Sequence, residues 1–352
     1  AFVHTSKGHW NLGHIPLLPA NGKFSPEDYC SSYSHQNESA QPGYYQVYLQ
    51  RYGVNAELTS TLRCAFHKYT YQNNTNKKLI ADLSRSNERV RNWEINQEGD
   101  HVFKGYQQTG EKMYFYAVSN HSIKNIEAIK DDKHEISVVN FADSPNPLEL
   151  QIGFSFVSIA NAKENLEKEM QGKSFEHVRS EAGQIWENLL SKIKVSGGTE
   201  RQKGLFYSTL YRSFLWPALR SDVNGQFTDV KGNIVNKGFD YYTEPSLWDD
   251  YRNKLVLLGM LSPKVTENVI KSLIDKGEKS SGFMPTFFHG DHAAPFITGS
   301  YLRGITNFDV KSACNLLLRN ATMEKHSRPR IMEYIEKGYI SEPDLDDPKL
   351  ET

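Results

Sequence analysis

The chain has 352 residues with 41 basic and 42 acidic side chains, a formal net charge of −1, so it carries no field that would draw nucleic acid or an anionic membrane. Hydrophobic residues at 38% and charged residues at 24% describe a globular protein whose length exceeds one ordinary core and favours two domains. The longest apolar run, 255–261, is far too short to span a bilayer. Ala1–Trp10 lacks the charged-then-apolar layout of a signal peptide, which leaves a cytoplasmic protein or one whose targeting segment has been removed.

In chain order, the first part reads as β structure. Short segments at 44–49 and 54–58, broken at Gly53, show partial alternation, and further strands are expected at 62–71, 78–83, 113–118, 135–141 and 148–158. Many short strands separated by Asn, Gly and Asp turns, with no helices between them, predict an antiparallel β-sandwich over residues 1–158. Cys30, Cys64 and Cys314 form no CxxC pair, which argues against a thiolate metal or redox motif and allows at most one disulfide. Asn-x-Ser/Thr sequons begin at Asn37, Asn73, Asn120 and Asn320, a weak signal in so Asn-rich a chain.

Composition shifts at Asn161, which with Glu164 three positions on has the form of a helix cap. A second helix around 175–193 carries Phe175, Val178, Ala182, Ile185, Trp186, Leu189 and Ile193 on one face. Residues 159–196 are therefore read as linker helices. After Gly197-Gly198, Thr199 and Gln202 form a capping box for a helix that Pro217 ends. Ser246 is expected to cap a helix running to Leu261. Ser262-Pro263 starts the next and Gly277 closes it. Helices are also expected near 293–303, from Asp309 as cap to Ala321, and around 329–337. Such a row of helices with a few longer loops is the pattern of an α/α toroid or helical array over 197–352.

Two stretches within this row carry chemistry. Glu244-Pro245-Ser246-Leu247-Trp248-Asp249-Asp250-Tyr251-Arg252 crowds an aromatic, carboxylates and a guanidinium into first helical turns, and Met284–His292 repeats the mixture in a Gly/Pro-punctuated loop. Polar groups on loops and helix starts point to a ligand site more than to a fold requirement. Each residue also has a structural reading. Asp249 would gain stability from unsatisfied N–H groups at a helix start. Trp248 could be core or present its indole to a sugar, and Arg252 could pair with Asp249 one turn away. His289 and His292 form an HxxH pair that could hold a transition metal or contact a sugar, with no third ligand evident. His4, His9, His14, His35 and His67 fit no tight ligand spacing.

Several ordered stretches resemble glycoside hydrolase family 92, the calcium-dependent α-mannosidases. They are Phe2-Val3-His4-Thr5-Ser6, Leu12–Pro19, Tyr33-Ser34-His35-Gln36-Asn37-Glu38, Pro42-Gly43-Tyr44-Tyr45, Phe206–Ser213, Ser221-Asp222-Val223-Asn224-Gly225, Ser246–Arg252 and Tyr301-Leu302-Arg303-Gly304-Ile305. The resemblance implies a β + α multidomain protein: an N-terminal antiparallel β-sandwich, linker helices and the first half of an (α/α)6 toroid. It implies an exo-acting, inverting mannosidase for terminal α-linked mannose, α-1,2 above all, with calcium as cofactor and a mannose-containing glycan as partner. It also implies a periplasmic or extracellular, bacterial location.

Within this resemblance Trp248, Asp249, Arg252 and His292 are the candidate sugar-binding residues, with Trp10 and Asn11 contributing from the sandwich side. The catalytic acid and base are expected beyond Thr352, and the calcium ligands are not assigned. Three departures stand out: Asp250 where the family has threonine, a shortened segment before His292, and little chain ahead of Phe2. The alternative is a non-catalytic truncated product or a carbohydrate-binding remnant. A half-toroid would expose apolar helix faces, so the isolated chain is expected to associate; a monodisperse monomer would contradict this.

Overall fold

The computed structural model describes residues 2–4, 13–131, 134–286, 290–324, 328 and 330–341. The chain divides into two compact units, Ala1–Lys194 with Asp222–Asn224, and Val195–Ser221 with Gly225–Thr352.

The first unit is built from β1 (Phe2–His4), β2 (His14–Ala20), β3 (Glu38–Gln41), β4 (Tyr44–Leu49), β5 (Val54–Ser60), β6 (Cys64–Tyr71), β7 (Lys78–Ala81), β8 (Asn92–Glu98), β9 (Val102–Gln108), β10 (Lys112–Ser119), β11 (Ile123–Lys130), β12 (Glu135–Phe141) and β13 (Leu148–Ser155). They form one sheet in the order β1-β2-β7-β12-β11 and another in the order β3-β4-β5-β6-β13-β10-β9-β8. Neighbours in both sheets pair antiparallel, as in β5 against β6 and β11 against β12. The core lies between the sheets, with Leu17, Leu79 and Val138 of the first meeting Val54, Tyr69, Phe115 and Leu150 of the second. The two-residue side-chain period sets this arrangement: Tyr69 and Tyr71 of β6 face the core, while Cys64 and Phe66 face the other way.

That outer face of the larger sheet is covered by α1 (Ile159–Met170) and α2 (Phe175–Leu190). Ala162, Leu166, Met170, Phe175 and Val178 bury themselves there against Phe66 and Tyr116. Helix α1 starts earlier than Asn161. Ser158 is its cap, accepting from the Asn161 backbone N–H at 3.0 Å and donating to the Asn161 Oδ1 at 2.7 Å, so Asn161 lies in the first turn. The helix lies close on β13 because position 153 is glycine; a Cβ there would stand 2.1 Å from the Ala162 carbonyl oxygen.

The second unit contains α3 (Glu200–Phe214), the hairpin β14 (Gln226–Thr228) and β15 (Ile234–Asn236), α4 (Leu247–Asp250), α5 (Lys254–Leu261), α6 (Pro263–Lys279), α7 (Ala293–Leu302), α8 (Val310–Thr322) and α9 (Ile331–Lys337). The Thr199–Gln202 capping box is present, Pro263 is in the first turn of α6, and Asp309 caps α8. Two expectations fail. The helix from Ser246 breaks after Asp250 and restarts at Lys254, with Asn253 capping the second piece through the Lys254 N–H. Gly277 does not close its helix. It sits inside α6, where a Cβ would meet the Phe283 carbonyl oxygen at 2.7 Å, so it admits the following loop against the helix.

The core of this unit joins Leu255 and Leu258 of α5, Val269, Ile270 and Leu273 of α6, Phe296 and Ile297 of α7, and Ala313 and Leu316 of α8. Leu302, Met260, Leu205 and Leu318 stay exposed at 82%, 70%, 66% and 58%. Among the described residues no helix is long and apolar enough to cross a membrane.

Candidate active site

The turn that breaks the Ser246–Leu261 stretch brings the candidate residues together. Ser246 makes no side-chain cap bond to the backbone; its hydroxyl donates instead to Asp249 Oδ2 at 2.5 Å and fixes that carboxylate's orientation. Trp248 is 43% exposed, and Asp249 beside it is exposed too. His292, at the N-cap of α7, stands edge-on to the Trp248 ring at 5.2 Å and lies 4.4 Å from the Tyr251 ring. The result is an aromatic corner with a carboxylate at its edge.

Arg252 does not turn to Asp249. With the helix interrupted, its Nε donates to the Tyr251 hydroxyl and its guanidinium lies 5.0 Å from the Tyr251 ring centroid. The neighbouring Asp250 is the one that pairs, with Lys254 Nζ at 2.5 Å. Trp10, Asn11 and His289 lie outside the described residues.

A cleft of about 320 Å³ opens in the same unit, lined by Glu244, Lys276, Ser280, Ser281, Met284 and Asn320 among others. Lys276 Nζ lies 3.6 Å from Glu244 Oε1. Asn320 of α8 holds the loop that forms one wall: its Nδ2 donates to the Met284 carbonyl at 3.0 Å and to Asp291 Oδ1 at 3.1 Å, and its Oδ1 accepts from the Met284 N–H at 3.1 Å. Burial pushes the Asp291 carboxyl upward, opposed by the Asn320 hydrogen bond. A buried amide so committed offers no glycosylation target, which disposes of the sequon at Asn320.

The hairpin loop of this unit is tied to α6 by charge. Lys279 Nζ lies 2.9 Å from Asp229 Oδ2 and 3.2 Å from Asp275 Oδ1, and Lys237 Nζ lies 2.5 Å from Asp275 Oδ1. Burial alone would raise the Asp229 carboxyl, yet hydrogen bonds from Lys279 and from the Asn233 and Lys231 backbone N–H groups outweigh it and hold it at about 2. A carboxyl depressed on folding stabilises the fold above its unfolded value, ~3.9, and that contribution disappears as pH falls through the folded value. Acid titration followed by helical circular dichroism is therefore expected to show a loss of stability between about pH 4 and pH 2, with Asp229→Asn flattening that window. An unchanged acid profile in the variant would contradict this role.

Residues that carried only the family resemblance have a clear structural job. Asp222 is buried and accepts from Ser155 Oγ and from Asn165 Nδ2, both at 2.7 Å. The Val223 N–H donates to Asn165 Oδ1 at 2.9 Å and Asn224 Nδ2 donates to Glu164 Oε2 at 2.8 Å. The segment 222–224 is thereby a constituent of the first unit. Helical periodicity around Asn165 and Glu164 gives no hint of this, because the partners lie far along the chain.

Among the described residues the histidines do not gather. His14 pairs with Thr109, His67 with Tyr69 and His35 with Glu38. Among the described residues no three His, Cys, Asp or Glu side chains converge as a metal-binding group.

Comparison with known proteins bears on both units. The model of the glycosyl hydrolase family 92 N-terminal domain matches residues 1–172, and that of the family 92 catalytic domain matches residues 161–351. A curated relative from Arthroderma benhamiae, an uncharacterized secreted glycosidase, is 24% identical over 96% of this chain and 48% of its own length. Among solved structures, a family GH92 α-mannosidase from Bacteroides thetaiotaomicron superposes with a TM-score of 0.85 at 24% identity, covering 92% of this chain and 49% of that one. A family GH92 inverting mannosidase from the same organism gives 0.83 at 22% identity, over 94% and 49%. The chain spans about half the length of these relatives. With the two family models together matching residues 1–351, the chain belongs to glycosyl hydrolase family 92.

Proposed function

We propose that the protein is an exo-acting α-mannosidase that removes terminal α-linked mannose, α-1,2-linked above all, from mannan or N-glycans with inversion. The observation that carries this reading is the exposed Trp248–Asp249 corner, held by Ser246 and His292, within a chain matched to family 92 through both domains. In support, one Bacteroides relative of the same fold was solved with mannoimidazole and another is described as an inverting mannosidase.

In this reading Asp249 accepts hydrogen bonds from two adjacent hydroxyls of the terminal sugar, which a carboxylate can do at once. Ser246 keeps it in that orientation. Trp248 offers its indole face to the C–H surface of the ring, braced by the His292 edge, and Arg252 holds Tyr251 against the same wall. Glu244 and Lys276 lie along the neighbouring cleft, where further hydroxyls would bind. Inversion needs an acid and a base separated by roughly 6.5–9.5 Å to admit water. Both are assigned to sequence beyond Thr352, and the helices of the second unit to the first half of an (α/α)6 toroid. Calcium, the cofactor implied by the family, belongs to the same proposal. A periplasmic or extracellular location fits the secreted relative.

Incubation with calcium and α-1,2-linked mannobiose, followed by NMR of the anomeric protons, is the test. Residues 1–352 are expected to release no mannose, while a polypeptide that includes the rest of a family 92 catalytic domain releases the β anomer first. Turnover by residues 1–352 would overturn the assignment of acid and base, and release of the α anomer would overturn inversion.

A further inference from the structure

The outer face of the larger sheet is covered unevenly. Helix α2 comes down over the start of β4, where Phe175 meets Tyr44 at 6.4 Å and Gly43 lies against Ala182. Further along the same face the two-residue period continues with Gln46 and Tyr48, while Val47 and Leu49 go to the core. Register adds Asn55 of β5 opposite Tyr48 and Ser39 of β3 opposite Gln46. These side chains line an open groove of about 430 Å³, closed on one side by Gln36 and Asn37 of the turn before β3 and by Glu38, the first residue of β3.

We infer that this groove is a second glycan-binding site, built from none of the residues of the Trp248–Asp249 corner and carried wholly by the β-sandwich unit. Its lining is made of amides, hydroxyls and one carboxylate, and it is already ordered. The Tyr44 hydroxyl lies 2.9 Å from both Glu57 Oε1 and Gln46 Oε1, its one proton shared between the two acceptors, and Gln46 Nε2 donates to Asn55 Oδ1 at 3.0 Å. That chain sets both amides in fixed orientations, each with donor and acceptor capacity left over. Glu38 is held between the Tyr45 hydroxyl at 2.6 Å and His35 Nδ1 at 2.5 Å. The Tyr48 hydroxyl and the Asn37 side chain make no hydrogen bond among the described residues.

The chemistry selects the ligand class. No Lys or Arg lines the groove, so a phosphate or nucleic acid finds no counter-charge. No aliphatic side chain lines it either, so an apolar peptide would bury little against it. Planar amides and a carboxylate spaced along a pleated sheet do match vicinal hydroxyl pairs, and the volume falls in the ~300–1,000 Å³ range of small-ligand sites. A neutral oligosaccharide is the ligand these groups recognise. That it is a mannose-containing one rests on the mannosidase reading; that it is a glycan does not.

The experiment is saturation-transfer NMR of unglycosylated chain with α-linked mannotriose and, separately, maltotriose, comparing wild type, Gln46→Ala/Asn55→Ala, Tyr48→Ala and Asp249→Asn. The expected result is transfer to mannotriose that persists in Asp249→Asn and falls at least fivefold when either groove substitution is added to Asp249→Asn, with melting temperatures that stay at the value of that variant. Should a groove variant melt early, the Gln46 and Asn55 side-chain amide signals of the wild type are followed instead, and they are expected to shift on titration. No transfer in the wild type, transfer indifferent to the groove variants, or amide signals that do not move would overturn the proposal. Groove-dependent transfer to maltotriose alone would uphold a glycan site while counting against the mannosidase reading.

Discussion

Gly153→Val is expected to destabilise the sandwich unit by about 3 kcal/mol or more, at the upper end of what overpacking costs. Position 153 is interior to β13 and pairs with Tyr116 on one side and Cys64 on the other. A Cβ there would lie 2.1 Å from the Ala162 carbonyl oxygen and 2.9 Å from the Leu166 Cβ. The first obstacle is backbone, not the end of a flexible side chain, so α1 itself must lift and uncover Phe66 and Tyr116. Gly183→Ala is the control. It sits in α2, where an added methyl group would find nothing within 4 Å, and there the helix propensity of alanine should gain up to about 1 kcal/mol. Urea unfolding of the two variants separates the cases; equal midpoints would contradict the close approach of α1.

Asp222→Ala should cost about 2–3 kcal/mol, because it strands the buried Ser155 hydroxyl and removes one acceptor of the Asn165 amide. The loss is larger than for an exposed carboxylate, since water does not replace the missing acceptor. Asp222→Asn is expected to be far milder. Burial raises the Asp222 carboxyl, against the hydrogen bonds from Ser155 and Asn165, so the site resists a charge and tolerates an isosteric neutral acceptor. Thermal melts of the two variants check this, and an Asn variant as unstable as the Ala variant would argue that the charge itself is required.

Much of the sandwich is readable from alternation. Strands β4, β5, β10 and β13 are visible in the sequence because buried positions largely alternate with less buried ones, whereas β6, β7 and β12, buried on both faces for most of their length, show as short runs of apolar, β-branched or aromatic residues. The edge strands are not. β1 and β11 flank one sheet, and β3 and β8 the other; an edge strand buries little, and β8 carries the polar run Asn92–Glu98. In β11, Ile123, Ile126 and Ile129 fall at a spacing of three that mimics a helix face. β2 is hidden for another reason: Pro16 and Pro19 read as loop residues, although all of His14–Ala20 is buried.

Helix starts at Thr199, Pro263 and Asp309 are legible because caps are local chemistry. Gly277 misleads because glycine for close approach and glycine for termination look alike in sequence. At the candidate site, the crowding of Trp248 and Asp249 is legible, whereas the partner of Arg252 depends on a helix break that no single residue announces. The Asp222–Asn165 and Asp229–Lys279 pairs join residues distant along the chain, and side-chain pairing over such distances leaves no local pattern.

If the proposed function holds, the Trp248–Asp249 corner grips a mannose-shaped ring. Calorimetric titration of the chain with mannoimidazole and with its glucose-configured counterpart measures that grip. The mannose-shaped compound is expected to bind in preference to the glucose-shaped one, and to weaken about 10–150-fold in Asp249→Asn through loss of a charged hydrogen-bond acceptor worth about 1.5–3 kcal/mol. Mannoimidazole binding that is unaffected by Asp249→Asn, or that does not distinguish the two sugars, would contradict it.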